Sequence, residues 1–213
     1  MVSLNSRTRV KICGITRKED AQAAANLGVD AIGLVFYTKS PRNIDVNMAR
    51  AICDAIPGFV TTVALFLNPE KSLVNRVVSE VGVDLLQFHG TEPVKFCESF
   101  ERPYIKALGI SGEDNIVELV KSYSSARSVL LDSHAKGAAG GTGETFDWLS
   151  VPVEIRQQII LAGGLNPENV AQAIEQVRPY AVDLSSGVES SPGVKDINLM
   201  TRLMQQVKRV DCE

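Results

Sequence analysis

The sequence predicts an α/β fold: a closed (βα)8 barrel of parallel strands, each followed by a helix. Three observations predict it. Eight short β-rich apolar runs alternate with helix-period stretches along the 213 residues. The runs are near-continuously apolar, the pattern of strands covered on both faces. Polar or glycine-rich segments gather where the runs end, and the loops after the strands build the site in such barrels. An open doubly wound sheet is the rival, and the count of eight favours closure. The whole chain, 1–213, reads as one domain with a short polar extension at 1–8.

The elements follow in order. Arg9–Cys13 is the first strand, and Arg17–Leu27 the first helix, ended at Gly28 by a left-handed cap. Asp30–Phe36 and Val46–Ile56 form the second unit. Phe59–Leu67 leads to Asn68-Pro69-Glu70, a capping residue before a proline at the first helical position. It opens the helix Glu70–Val81, which Gly82 closes. Val83–Phe88 precedes Val94–Phe100, and Tyr104–Leu108 precedes Asp114–Tyr123. Ser128–Asp132 runs into a glycine-rich loop with only a weak helix around Phe146–Val151. Gln158–Ala162 is followed by Asn166-Pro167-Glu168, which repeats the capping signal for the helix Pro167–Gln176. Ala181–Ser185 is the eighth strand. Lys195-Asp196 reads as the start of the last helix, Ile197–Val207.

Composition narrows the function. A net charge of −3 gives no basic footprint for nucleic acid or an anionic membrane. No apolar run approaches the ~18 residues of a membrane span. The N-terminus lacks the apolar core of a signal peptide. Cysteines at 13, 53, 97 and 212 form no C-x-x-C, and only His89 and His134 could join them, so no metal cage is expected. Reduced thiols fit a cytoplasmic protein.

Side chains two apart in a strand share a face. Lys11 and Cys13 therefore point one way, as do Gln87 and His89, Leu130 and Asp132, and Asp183 and Ser185. Each pair ends its strand. If the barrel closes, Cys13 and Asp132 face one cavity, and Asp183 neighbours Lys11 because the last strand pairs with the first. A Lys11–Asp183 ion pair beside the thiol is expected. A thiol becomes useful as a base when nearby cations lower its pKa. The plainer alternative for Cys13 is a small buried hydrophobe, and for Asp132 a turn former. His89 suits either a ligand contact or a satisfied polar group. Gly141, Thr142 and Gly143 follow the sixth strand, Gly163 and Gly164 the seventh, and Ser185, Ser186 and Gly187 the eighth. Backbone N–H groups and hydroxyls in such loops suit a phosphate. Arg42, in Ser40-Pro41-Arg42, offers a planar fork for a carboxylate.

Together these segments resemble the phosphoribosylanthranilate isomerase family of tryptophan biosynthesis, from Lys11 to about Asp196. The motifs are Lys11-Ile12-Cys13-Gly14, Ser40-Pro41-Arg42, Gln87-Phe88-His89-Gly90, Leu131-Asp132-Ser133, Gly140-Gly141-Thr142-Gly143, Leu161-Ala162-Gly163-Gly164-Leu165, Asp183-Leu184-Ser185-Ser186-Gly187-Val188-Glu189 and Pro192-Gly193-Val194-Lys195-Asp196. Phe88 departs from the leucine common in that family.

The resemblance implies a TIM barrel that carries out an Amadori rearrangement of a phosphorylated sugar–anthranilate substrate. Asp132 matches the general acid and Cys13 the general base, so the acid's pKa should be raised and the thiol's depressed. Arg42 matches the residue near the anthranilate carboxylate. Lys11, Gln87, His89 and Asp183 match positions lining or supporting the substrate site. The resemblance implies no cofactor and no metal, and a monomer or a homodimer. The histidine-pathway aldosylamine isomerase is a rival, but it uses two aspartates, and Cys13 argues against it. A non-catalytic barrel for phosphorylated ligands is the other rival. Retention of both Cys13 and Asp132 argues against that one.

Overall fold

The computed structural model describes residues 7–110, 115–133 and 147–212. Eight parallel strands close a barrel in simple sequence order: β1 (Arg9–Cys13), β2 (Ala31–Val35), β3 (Thr61–Phe66), β4 (Leu85–Phe88), β5 (Tyr104–Gly109), β6 (Ser128–Asp132), β7 (Ile159–Leu161) and β8 (Ala181–Leu184). The helices between them are α1 (Lys18–Asn26), α2 (Val46–Cys53), α3 (Lys71–Val81), α4 (Val94–Cys97), α5 (Ile116–Ser122) and α6 (Val170–Val177), and α7 (Ile197–Asp211) completes the ring. The predicted barrel is therefore the observed one.

Strand parity sorts the core into layers. Residues facing outward (Val10, Ile12, Ile32, Leu34, Ala64, Phe66, Leu86, Phe88, Leu131, Val182, Leu184) join the helices' inner faces in one large cluster. Inward residues Val63, Ile105, Ala107, Leu130, Ile160, Ala162 and Ala181 plug the barrel floor. Above them Cys13, Val35 and Leu65 form a small apolar collar at the mouth. Each fully buried aliphatic contributes about 1.5–3 kcal/mol, so the plug is a packed core and no pore. Phe88 points away from the site, stacks on Phe66 and Phe100 and meets Phe96 and Tyr104 edge-on. Its departure from leucine is a packing matter.

Several element ends differ from expectation, for local reasons. Asn68 does not cap α3. It adopts a left-handed backbone (φ 46°), and its side-chain oxygen accepts from Thr91 N at 2.8 Å, tying two loops together. Asn166 accepts from the Glu168 and Asn169 amides at 2.9 and 3.1 Å, and this closes a turn that delays α6 to Val170. α4 is a single turn ending at Cys97. Between β6 and β7, Trp148–Ser150 and Val153–Gln158 form 3₁₀ turns, and Phe146 lies outside the described residues. Gly28 and Gly82 do take the left-handed conformation beyond their helices. The unexpected element is a hairpin after β8, β9 (Glu189–Ser191) with β10 (Val194–Lys195). Its turn at Gly193 (φ 83°) rests on the β1 and β2 loops, where Thr16 Oγ1 donates to the Gly193 carbonyl.

Candidate active site

A funnel opens at the carboxyl ends of the strands. Cys13, Gln87, His89, Asp132 and Asp183 line its floor, with Ser40 and Arg42 on one side and Gly163, Gly164, Ser185 and Ser186 on another. Of the predicted residues that lie among the described ones, the pocket brings together all but Lys11 and Gly187, and parity explains why. Asp132 and Asp183 share the inward face of their strands with the plug residues Leu130 and Ala181 two positions below, Gln87 shares it with Leu85, which packs on the plug, and Cys13 shares it with Lys11.

Lys11 pairs with Asp183 in the β1–β8 register. Its Nζ donates to both carboxylate oxygens at 2.9 Å, with the two side chains 5% and 8% exposed. The expected ion pair is present. Lys11 sits behind the lining, so it supports the site from beneath. Burial works against its ammonium, but Asp183 and Cys13 outweigh that and raise its pKa.

Cys13 corrects one expectation. Its thiol is pushed up, not depressed. Burial dominates, the Asp183 charge adds to it, and Lys11 and Lys195 only partly oppose. Lys11 is already neutralised by Asp183, so little of its charge is left to hold a thiolate. The opposite residue in register is Gly33. A Cβ there would lie 2.6 Å from Cys13 Sγ and 3.1 Å from Lys11 Nζ. The thiol needs that missing side chain.

His89 Nε2 lies 3.4 Å from Asp132 Oδ2, longer than an ordinary hydrogen bond but close enough to orient the carboxyl. Gln87 is fully buried, and neither end of its amide bonds to another described residue. Ser185 Oγ is likewise buried and unbonded among the described residues. Buried polar atoms without a protein partner carry a desolvation penalty, and at a pocket wall that favours a polar ligand.

Of the glycine-rich loops, Gly163 (φ 86°) and Gly164 (φ 63°) line the funnel with left-handed backbone. At Gly163 a Cβ would strike Ser133 N at 2.5 Å. Gly187 does not line the pocket. A Cβ there would come within 2.0 Å of the Leu165 carbonyl, so it allows two loops to touch. Gly141, Thr142 and Gly143 lie outside the described residues.

Sequence reasoning missed four buried charges. Arg42 engages Glu189 through both carboxylate oxygens, and Lys195 joins the same glutamate. Lys195 belongs to the hairpin and not to the start of α7. Pro192-Gly193, a turn dipeptide, was the available signal. Under the β4 loop, Lys106 Nζ donates to Glu92 Oε2 at 2.9 Å and to the Phe88 and Gly90 carbonyls. No sequence cue separates these two from surface charges.

The chain is similar to known proteins along most of its length. Residues 10–206 match the family model described as N-(5'phosphoribosyl)anthranilate (PRA) isomerase. An N-(5'-phosphoribosyl)anthranilate isomerase of Pseudomonas fluorescens (strain SBW25) is 54% identical over 203 residues, 95% of this chain and 97% of that protein. The crystal structure of phosphoribosyl anthranilate isomerase from Thermotoga maritima superposes with a TM-score of 0.86 at 40% identity, covering 95% of this chain and 99% of that one. A similar structure (TM-score 0.81, 40% identity, 95% and 99% covered) is a complex with reduced 1-(o-carboxyphenylamino)-1-deoxyribulose 5-phosphate.

Proposed function

We propose how each residue acts from one premise: the chain belongs to the N-(5'-phosphoribosyl)anthranilate isomerase family and has that family's isomerase activity. The substrate carries a phosphate at one end, a ribosyl ring in the middle and an anthranilate carboxylate at the other. Asp132 protonates the furanose ring oxygen. The bond from that oxygen to C1′ breaks, and the aniline nitrogen's lone pair forms the C1′ iminium. Cys13 takes the C2′ proton, and its electron pair flows toward nitrogen to give the enolamine. A proton then adds at C1′ while the C2′ hydroxyl gives up its own, and the enolamine becomes the ketone. Protons balance over the cycle, so the reaction is an internal redox exchange between C1′ and C2′.

The observation that carries this assignment is that Cys13 and Asp132, on β1 and β6, line one funnel. Arg42 takes the aromatic carboxylate at the rim. Gly163, Gly164, Ser185 and Ser186 take the phosphate with backbone dipoles and hydroxyls. Gln87 and Asp183 meet the sugar hydroxyls, and His89 orients Asp132. The free state of the cysteines supports a reducing, cytoplasmic setting.

Assay with freshly generated phosphoribosylanthranilate tests the pair. Cys13→Ser and Asp132→Asn should each lower kcat/KM by about 10²–10⁴-fold. Near-wild-type rates in both would refute the acid–base assignment.

A further inference from the structure

A chain of charges crosses the mouth of the barrel from the β2 loop to the β8 loop. Arg42 donates from Nε to Glu189 Oε1 at 2.8 Å and from Nη2 to Oε2 at 2.7 Å. Glu189 Oε1 also accepts from Lys195 Nζ at 2.7 Å. That ammonium donates onward to the Ser185 carbonyl at 3.1 Å. The three charged side chains are 11%, 4% and 0% exposed.

We propose that Glu189, braced by Lys195, is a positioning residue that fixes the Arg42 guanidinium for the substrate's aromatic carboxylate. It thereby couples the carboxylate-binding rim to the loop that meets the phosphate. The inference rests on the reading of Arg42 as the carboxylate site.

The geometry supports it in three ways. A guanidinium has five donors in one plane, and a bidentate carboxylate takes only one edge. Glu189 takes the Nε/Nη2 edge. The edge carrying Nη1 lies in the same plane and is not engaged by Glu189. Arg42 is also stiffened along its stem, which lies over Gly14. A Cβ at Gly14 would fall 2.4 Å from Arg42 Cδ and 3.1 Å from Ser185 Oγ. A long side chain held this way has already lost the rotamer freedom it would otherwise lose on binding. Finally, two cations share one carboxylate. The bridge keeps a net positive charge, so an incoming carboxylate meets attraction and not a neutral pair. Lys195 supplies that surplus, and through Ser185 O it also holds the wall that bears the Ser185 and Ser186 hydroxyls.

The test compares two ligands by calorimetry: reduced 1-(o-carboxyphenylamino)-1-deoxyribulose 5-phosphate and its counterpart without the ring carboxylate. Wild type, Arg42→Ala, Glu189→Gln and the double variant are titrated. Arg42→Ala should weaken the carboxylated ligand about 100-fold, as loss of a charge-assisted pair does, and leave the other unchanged. Glu189→Gln should weaken only the carboxylated ligand, about tenfold, and add nothing in the double variant. Equal weakening of both ligands by Glu189→Gln, tighter binding, or full additivity with Arg42→Ala overturns the proposal. If Arg42→Ala itself fails to distinguish the ligands, the carboxylate reading falls and takes this inference with it. Should Glu189→Gln not fold, Glu189→Asp keeps the charge but shortens the reach. A selective loss there upholds the proposal, and an unselective one overturns it.

Discussion

Cys13 and Asp132 must hold opposite protonation states, thiolate and acid, while sharing what amounts to one proton. Below the lower apparent pKa of the pair both are protonated and the base is lost. Above the upper one both are ionised and the acid is lost. The profile of kcat/KM is therefore a bell, and its alkaline limb belongs to the thiol. Burial raises that thiol, so the limb should lie above the ordinary thiol value of about 8.5. The Asp183 charge contributes to the rise and also neutralises Lys11. Asp183→Asn removes the first and releases the second, so the alkaline limb should move to lower pH even as overall activity falls. A limb that stays put or moves up would show that Asp183 does not govern the thiol. Gln87 offers a second test at this scale. Its buried amide makes no bond to another described residue, and an unsatisfied buried group costs about 1–3 kcal/mol. Gln87→Leu, of similar volume, should match or exceed wild type in urea denaturation while kcat/KM drops at least tenfold. Loss of stability in that variant would mean the amide has a structural partner after all.

At the level of elements, the β4 loop is held by a buried knot. Lys106 points outward from β5, 1% exposed, and binds Glu92 together with the Phe88 and Gly90 carbonyls. Glu92 in turn accepts from the Asn68 and Gly90 amides at 2.7 and 2.9 Å. His89 lies between the two tethered carbonyls, so the knot sets where its ring meets Asp132. Glu92→Gln leaves the Lys106 ammonium buried without its counter-charge, and breaking such a pair costs about 3–5 kcal/mol. A chemical denaturation midpoint close to wild type would contradict this. The knot also marks what a sequence can reveal. Strand parity carried Cys13, Gln87, Asp132 and Asp183 to one face, because alternation is a local rule and closure then follows from the number of strands. The β1–β8 register that pairs Lys11 with Asp183 was legible for the same reason. Lys106 and Glu92 were not, since burial of a charge is decided by loops folding over it. The β9–β10 hairpin escaped because strands of three and two residues have no period to detect. Asn68 and Asn166 misled because a cap and an Asx-type loop clamp share the same residue types.

For the molecule as a whole, the seam between β8 and β1 is where the two ends of the chain meet and where much of the site is assembled. Lys11 bonds Asp183 across it, and Cys13 depends on both. The Arg42–Glu189–Lys195 bridge spans the loops just above. Just below, Asp211 at the end of α7 accepts from Thr8 N at 2.9 and 3.0 Å and from Thr8 Oγ1 at 2.8 Å, pinning the start of β1. Activity therefore reports on the closed seam, while Trp148, the one tryptophan of the chain, reports on the β6–β7 side. If closure is cooperative, urea should abolish activity and shift Trp148 fluorescence at one midpoint. Asp211→Ala removes charge-assisted bonds that contribute about 1.5–3 kcal/mol, so both midpoints should fall together. Activity lost at distinctly lower urea than the fluorescence change, in wild type or variant, would mean that the seam opens first. The side around β6 and β7 would then persist without a working site, because Cys13 and Asp183 stand on the two strands of the opened seam.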